Sequence, residues 1–246
     1  MGVKKTIGVS AIILLFTILL TVGVLFMVAS MCPSDYKPYQ LTKQRRQHEA
    51  QRFVNNYLNN FLNQYNNIIP FTFEISANQM NFFLASLDEI AMLRPNSKSG
   101  DNNTGGVYAA LDRQGLADPF VKFDDDKLTV MIRVQKHADK IISLDISMKA
   151  LGDGKMKFAL EGVRIGRLPI PKSIVAESLS LVKSELENQN KDDNDIVSMD
   201  NLLTKVFTSL DSEPIETKCK IRGKKKYISS IELKDGKLKI QYVPAE

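Results

Sequence analysis

The residues that could do chemistry are few. Two histidines occur, His48 and His137, and neither has beside it the Ser, Cys or carboxylate pattern that marks a nucleophile and its base. The chain contains no G-x-S-x-G, P-loop, H-E-x-x-H or C-x-x-C. Asp192, Asp193 and Asp195 invite a calcium reading, but the glycine and the distal glutamate of an EF-hand loop are missing. Asp124, Asp125 and Asp126 fit a hairpin turn between Phe123 and Leu128 instead. The expectation is a chain that is not an enzyme and holds no cofactor and no metal; paired carboxylates assembled only by the fold stay open.

Cysteine and cation chemistry is similarly spare. Cys32 and Cys219 allow one disulfide, but Cys32 falls at the end of an apolar run and Cys219 in a strand pattern facing inward, so both read as free thiols. Lipidation of Cys32 is disfavoured because Met31, not a small residue, precedes it. Arg164, Arg167 and Lys172 surround the stretch "GVRIGRLPIPKS" and read as solvated charge first, a binding group second. Lys218, Lys220 and Arg222 share the outer face of a late strand, and residues 224–226 extend it. That stripe is either a charged edge that blocks aggregation or a candidate contact for anionic lipid headgroups or wall polymers. Without Lys4 and Lys5 the chain carries 31 basic and 28 acidic residues, too small an excess to argue for nucleic acid.

The N-terminus sets the expected compartment. No charge lies between Lys5 and Asp35, and the apolar residues 7–28 would rise about 33 Å as a helix. Residues 28–30, Val-Ala-Ser, offer small side chains at signal-peptide cleavage positions, but the apolar run exceeds the roughly 7–15 residues such peptides use. A retained membrane anchor over 1–34 is expected. Counted literally, the basic residues after the run would keep the rest of the chain in the cytoplasm; long domains cross largely regardless of charge, so residues 35–246 are expected to be extracytoplasmic.

Around these residues the sequence specifies elements. A helix from Thr42 carries Phe53, Val54, Tyr57, Leu58, Phe61, Leu62 and Tyr65 at three- and four-residue spacing. A short strand over 71–75 leads to Ser76 and Gln79, which fit a capping box, and to a helix whose Met80, Phe83, Leu84, Leu87 and Met92 should face the core until Pro95. Residues 96–106 are a flexible loop, in which Asn102 begins a glycosylation sequon read as chance. Leu128, Val130, Ile132 and Val134, then Ile142, Leu144, Ile146 and Met148, alternate as strands with one buried face. A bulge near Gly162 is needed to reconcile Met156, Phe158 and Leu160 with Val163 and Ile165. Gly166, Pro169 and Pro171 should turn the last strand into a helix bearing Val175, Leu179, Val182 and Leu186. A polar linker over 188–198 and a short helix over 202–210 follow, and Asp235-Gly236 closes a hairpin that pairs Leu233 with Leu238 and Ile231 with Ile240.

The expected fold is α+β: an N-terminal transmembrane helix, then a single extracytoplasmic domain with a curved antiparallel sheet packed against amphipathic helices. Such a sheet could open a groove for an acyl chain, with Phe83, Leu84, Leu144, Ile146, Val175 and Leu179 as candidate lining. The expected partners are the lipid bilayer and a lipid ligand or envelope protein. Two functions follow: a non-enzymatic anchored protein that binds lipid or another apolar envelope ligand, or an anchored scaffold that binds a protein partner. A cavity of ligand size, roughly 300–1,000 Å³, with apolar walls separates the first from the second.

The order of anchor, amphipathic helix, "ISANQMNFFLASL", paired strands, "VRIGRLPIPKSIV" and terminal hairpin resembles the YpmS-like family of bacterial membrane-anchored proteins. The matching positions are Asn81 and Leu84 of an N-x-x-L helix start, and Ile165, Gly166, Leu168, Ile170 and Pro171 of an iG-x-l-x-lP turn. The resemblance covers most of the chain and implies an envelope location rather than a mechanism.

Overall fold

The computed structural model describes residues 3–93, 107–113, 115–135, 139–171, 173–174, 214–221 and 223–245. The architecture is α+β, and every strand pair is antiparallel. Helix α1 (Val3–Ser30) is followed by α2 (Lys43–Arg52), a π-helical segment (Phe53–Leu58) and α3 (Asn59–Asn66), which form one continuous rod. Thr42 caps α2 by accepting from the N–H of Arg45. Side chains of α1 are described from Thr17 onward. Among the described residues no helix is long and apolar enough to cross a membrane.

The strands form two sheets where the sequence suggested one. Strands β1 (Phe71–Ser76), β8 (Cys219–Ile221), β9 (Lys224–Lys234) and β10 (Lys237–Pro244) make a four-stranded sheet in the order β1-β10-β9-β8. Strands β2 (Leu116–Asp124), β3 (Lys127–Val134), β4 (Lys140–Gly152), β5 (Lys155–Ile165) and β6 (Leu168–Ile170) run in sequence order in the other, and β7 (Ile215–Glu216) pairs with β5. Residues 215–221 join the two: β7 adds to β5, Thr217 donates its N–H to Gly154, and β8 then pairs with β9.

Asp235 and Gly236 both adopt positive φ, +53° and +68°, as a two-residue hairpin demands, and the pairs Leu233–Leu238 and Ile231–Ile240 form. The Gly236 carbonyl then accepts from the N–H of Ala77 and helps to start α4 (Ala77–Leu84), whose capping box between Ser76 and Gln79 is complete. The expected bulge is present: Asp145 pairs with Gly162 and Ile146 with Leu160, leaving Glu161 unpaired.

The inner faces of the sheets share one apolar layer. Ile75, Val121, Phe123, Leu233 and Leu238 pack together, with Met80 and Leu84 of α4 against them. Ile146, Met156, Phe158 and Leu160 form a second cluster, and Val130, Met148 and Ile231 border both. Phe61 and Tyr65 of α3 close one end through edge-to-face contacts with Phe71 and Tyr242.

Three expectations are corrected, and one helix is added. The helix after Ser76 breaks at Ala85–Ser86, α5 (Leu87–Met92) begins anew, and Met92 is exposed rather than core-facing. The strands β3 and β4 are covered on both faces, since Thr129, Met131 and Ser143 are buried on the side the alternation left to water. A further helix, α6 (Val107–Arg113), stands before β2. Beyond Gly166 the chain turns back as β6, with Pro169 on the sheet's edge strand, where a missing N–H is tolerated. The expected loop over 96–106, the helix bearing Val175, Leu179, Val182 and Leu186, the linker over 188–198 and the helix over 202–210 lie outside the described residues.

Candidate functional site

The C-terminal end of α1 is seated on the domain by the turn within "GVRIGRLPIPKS". Gly166 has φ +58° and donates its N–H to the Ile141 carbonyl at 2.7 Å. The next N–H, of Arg167, donates to the Val28 carbonyl of α1 at 3.2 Å, and Arg167 Nε donates to the Cys32 carbonyl at 3.2 Å. Lys140 Nζ sits 4.6 Å from the centre of the Phe26 ring. A helix end leaves carbonyls without intrahelical donors, and this turn supplies donors to that end from across the fold. The geometry requires glycine: a Cβ on Gly166 would overlap the Ala29 carbonyl and lie 2.6 Å from that of Met31.

The chain leaving α1 stays on the same surface. Tyr36 is buried against Met131, Ile141 and Phe120, and its hydroxyl donates to the Asp118 carbonyl at 2.7 Å. Burial first, and Asp118 second, push the Tyr36 hydroxyl well above the usual tyrosine range. The end of α1 and the segment that follows it are therefore packed on the domain.

Beside this junction lies a cleft of about 450 Å³. Its walls come from the linker (Tyr39, Gln40), α2 (Arg46), α5 (Glu89), α6 (Tyr108) and the β2–β3 pair (Asp118, Arg133). Arg46 Nε donates to Glu89 Oε1 at 2.6 Å and Nη1 to the Leu41 carbonyl at 3.0 Å. Arg133 grips Asp118 Oδ2 through Nε and Nη2 at 3.0 and 2.6 Å, and reaches Asp139 through Nη1 at 3.1 Å. Asp118 has φ +50° inside a bulge of β2 between Ala117 and Phe120, a rare conformation for a residue with a side chain. Tyr108 donates its hydroxyl to the Leu84 carbonyl at 2.8 Å and its N–H to Asp88 at 2.9 Å. Burial, then the charges of Asp118 and Asp88, push the Tyr108 hydroxyl up to about 12.

Among the described candidate groove residues, Phe83, Leu84, Leu144 and Ile146 do not line one cavity. Ile146 is a member of the second core cluster and Leu144 packs on it, whereas Leu84 packs on the first. Phe83 points to the other side of α4, where it meets the Phe53 ring at 4.1 Å and lines a cavity of about 30 Å³, room for a single water. Val175 and Leu179 lie outside the described residues. Of the basic stripe, Lys218 is exposed and passes beside Gly154, in the turn between β4 and β5; Lys220 falls on β8 opposite Lys225, and Arg222 lies outside the described residues. Strand β4 runs from Lys140, at the α1 junction, to Gly152, about 40 Å in extended chain, so Lys218 sits at the far end of that strand.

Of the remaining chemistry-bearing residues, Cys32 is a free, exposed thiol and His48 projects from α2 into solvent, while His137 and Lys172 lie outside the described residues. Arg164 pairs with Asp145 at 3.0 Å, and Asp145 also accepts from Thr129. Among the described residues no group of His, Cys, Asp and Glu could hold a metal ion. Sequence reasoning missed Arg46, Glu89, Tyr108, Asp118 and Arg133. Arg46 and Glu89 are 43 residues apart and meet only when α2 packs on α5; the one local signal was Asp118-Pro119, a turn-like dipeptide inside a strand pattern. Compared with family models, curated proteins and solved structures, the chain matches none.

Proposed function

We propose that the chain is a single-pass, non-enzymatic membrane protein in which α1 is a retained anchor and the extracytoplasmic two-sheet domain is a binding module held fast at the anchor's end. The observation that carries this reading is the junction: Gly166 and Arg167 lie against the backbone of Val28, Ala29, Met31 and Cys32, at the end of an apolar run that carries no charge between Lys5 and Asp35. A cleaved leader has no reason to be built into the fold it leaves. The resemblance to YpmS-like anchored proteins points to the same location.

Of the two functions weighed from sequence, the partner-binding module fits the geometry better than the acyl-chain groove. Leu144 and Ile146 are occupied by core packing, Phe83 by Phe53, and the ligand-sized cleft has charged and hydroxyl-bearing walls. That cleft, next to the junction, is the ligand-facing site in this reading.

Membrane fractionation of bacteria expressing the full chain tests the reading. The expected result is an intact chain that resists alkaline carbonate extraction and whose domain is cut by protease added from outside the cytoplasmic membrane. A chain shortened at residues 28–30, or one released by carbonate, overturns it. A protected domain overturns the orientation alone.

A further inference from the structure

The cleft has more open acceptors than donors. Every nitrogen of Arg133 donates to a carboxylate, and Arg46 engages Nε and Nη1, leaving Nη2. The carboxylates are only half used: the bonds formed involve Oε1 of Glu89, Oδ2 of Asp118 and Oδ1 of Asp88. Their second oxygens accept from no described residue. Formally Asp88, Glu89 and Asp118 outweigh Arg46 and Arg133 by one negative charge, and Arg133 shares its charge with a further carboxylate, Asp139. Tyr108 adds no anion at neutral pH, because its hydroxyl is held up to about 12.

We propose that this cleft binds an organic ligand through a primary ammonium group, accepted by the carboxylates of Glu89, Asp118 and Asp88 on its walls. An ammonium carries three donors and the cleft walls carry three carboxylates, and Arg46 Nη2 remains for an acceptor elsewhere on the ligand. About 450 Å³ admits an amino sugar or an aminoalkyl headgroup. The inference rests on the cleft being the ligand-facing site, and it does not depend on which way the anchor runs.

Isothermal titration calorimetry of the full chain in a non-ionic detergent tests it, with glucosamine and ethanolamine as probes and glucose and ethylene glycol as their hydroxyl counterparts. The expected result is saturable binding of an amine at least tenfold tighter than its counterpart, weakened by added salt. Glu89→Gln and Asp118→Asn should each weaken it by about tenfold or more, the scale of one charged hydrogen bond. Gln40→Trp, at an exposed rim position, should block it by bulk. Preference for glucosamine assigns a saccharide source, and preference for ethanolamine a headgroup source. No saturable heat from either amine, or equal affinities for amine and hydroxyl probes, overturns the proposal. So does Glu89→Gln that melts as the parent does and binds unchanged; that variant decides where Asp118→Asn fails to fold. Fractionation reads the anchor and calorimetry reads the cleft, so the two readings fail separately.

Discussion

Gly166 lies so close to Ala29 that no side chain fits between them. The contact explains two sequence features at once. Ala29 and Ser30 are small where the helix end meets the turn, as the close approach of Gly166 to the Ala29 carbonyl requires. The glycine is not a strand breaker; its positive φ lets successive N–H groups of Gly166 and Arg167 point at Ile141 and Val28.

Gly166→Ala is therefore expected to open the junction. The left-handed backbone alone costs roughly 1–2 kcal/mol for alanine, and the overlap with the Ala29 carbonyl adds to it. Limited proteolysis should show new cleavage in the segment between Ser30 and Tyr36. Arg167→Ala keeps the backbone donor to Val28 and should show much less. Equal patterns for both variants would place the clasp in the arginine side chain instead.

Asn81 holds α4 to the sheet. Its amide is matched to an edge strand: Nδ2 donates to the Val121 carbonyl and Oδ1 accepts the Val121 N–H, both at 2.7 Å, with the side chain buried. Strand β2 ends its sheet, so these two backbone groups have no neighbouring strand to meet them. Asn81→Ala should cost roughly 2–4 kcal/mol, two buried backbone groups losing partners at once. Asn81→Asp should cost a similar amount, because a carboxylate cannot donate to Val121. Hydrogen exchange at the Val121 amide is the local check, and unchanged protection in Asn81→Ala would show that another group takes over.

That pair also marks how much was legible in the sequence. Alternation and turn chemistry located β1, β3 to β5 and the terminal hairpin, because each is fixed by neighbours within a dozen residues. The capping box at Ser76 was legible for the same reason. What was not legible depended on distant packing: Thr129 and Ser143 look like a solvated face until the linker at Tyr36 is laid near it. The break at Ser86 leaves no signal in the apolar spacing, which continues through Leu84 and Leu87. The short motif of Asn81 and Leu84 was visible as a pattern, but its meaning required knowing that Val121 lies on an edge. The cleft was invisible, since its ion pairs join α2 to α5 and a bulge of β2 to β3.

Tyr108 gives a pH signature. Its folded-state hydroxyl is raised to about 12, above the ordinary value near 10, so the folded chain holds this proton more tightly than the unfolded one. The resulting stabilisation is whole below about pH 10 and is lost as pH rises toward 12. Urea midpoints across that interval should fall more steeply for the parent than for Tyr108→Phe. At neutral pH the variant should lose about 1 kcal/mol, the bond to the Leu84 carbonyl. Parallel profiles would mean that Tyr108 is not the tightly held group.

Lys226 poses the sharpest energetic question. It is 1% exposed and faces no carboxylate among the described residues; Nζ donates to the Ile69 carbonyl at 2.8 Å and to that of Gln64 at 3.4 Å, and lies 4.7 Å from the centre of the Phe71 ring and 5.7 Å from that of Tyr65. These contacts favour the cation, each by about 1–2 kcal/mol, while burial opposes it and holds its pKa below the lysine range. A depressed base is charged at a cost in the folded state at every pH below its folded value. The cost is relieved only as pH climbs from there to the unfolded value near 10.4. Lys226→Met keeps the length and apolar body, loses two donors and removes the buried charge, so at neutral pH it should lie within about 2 kcal/mol of the parent. The decisive reading is the difference between parent and variant against pH: the parent should gain on Lys226→Met as the solution becomes alkaline. A flat difference would mean that Lys226 ionises as an ordinary lysine and that the carbonyls and rings offset its burial in full.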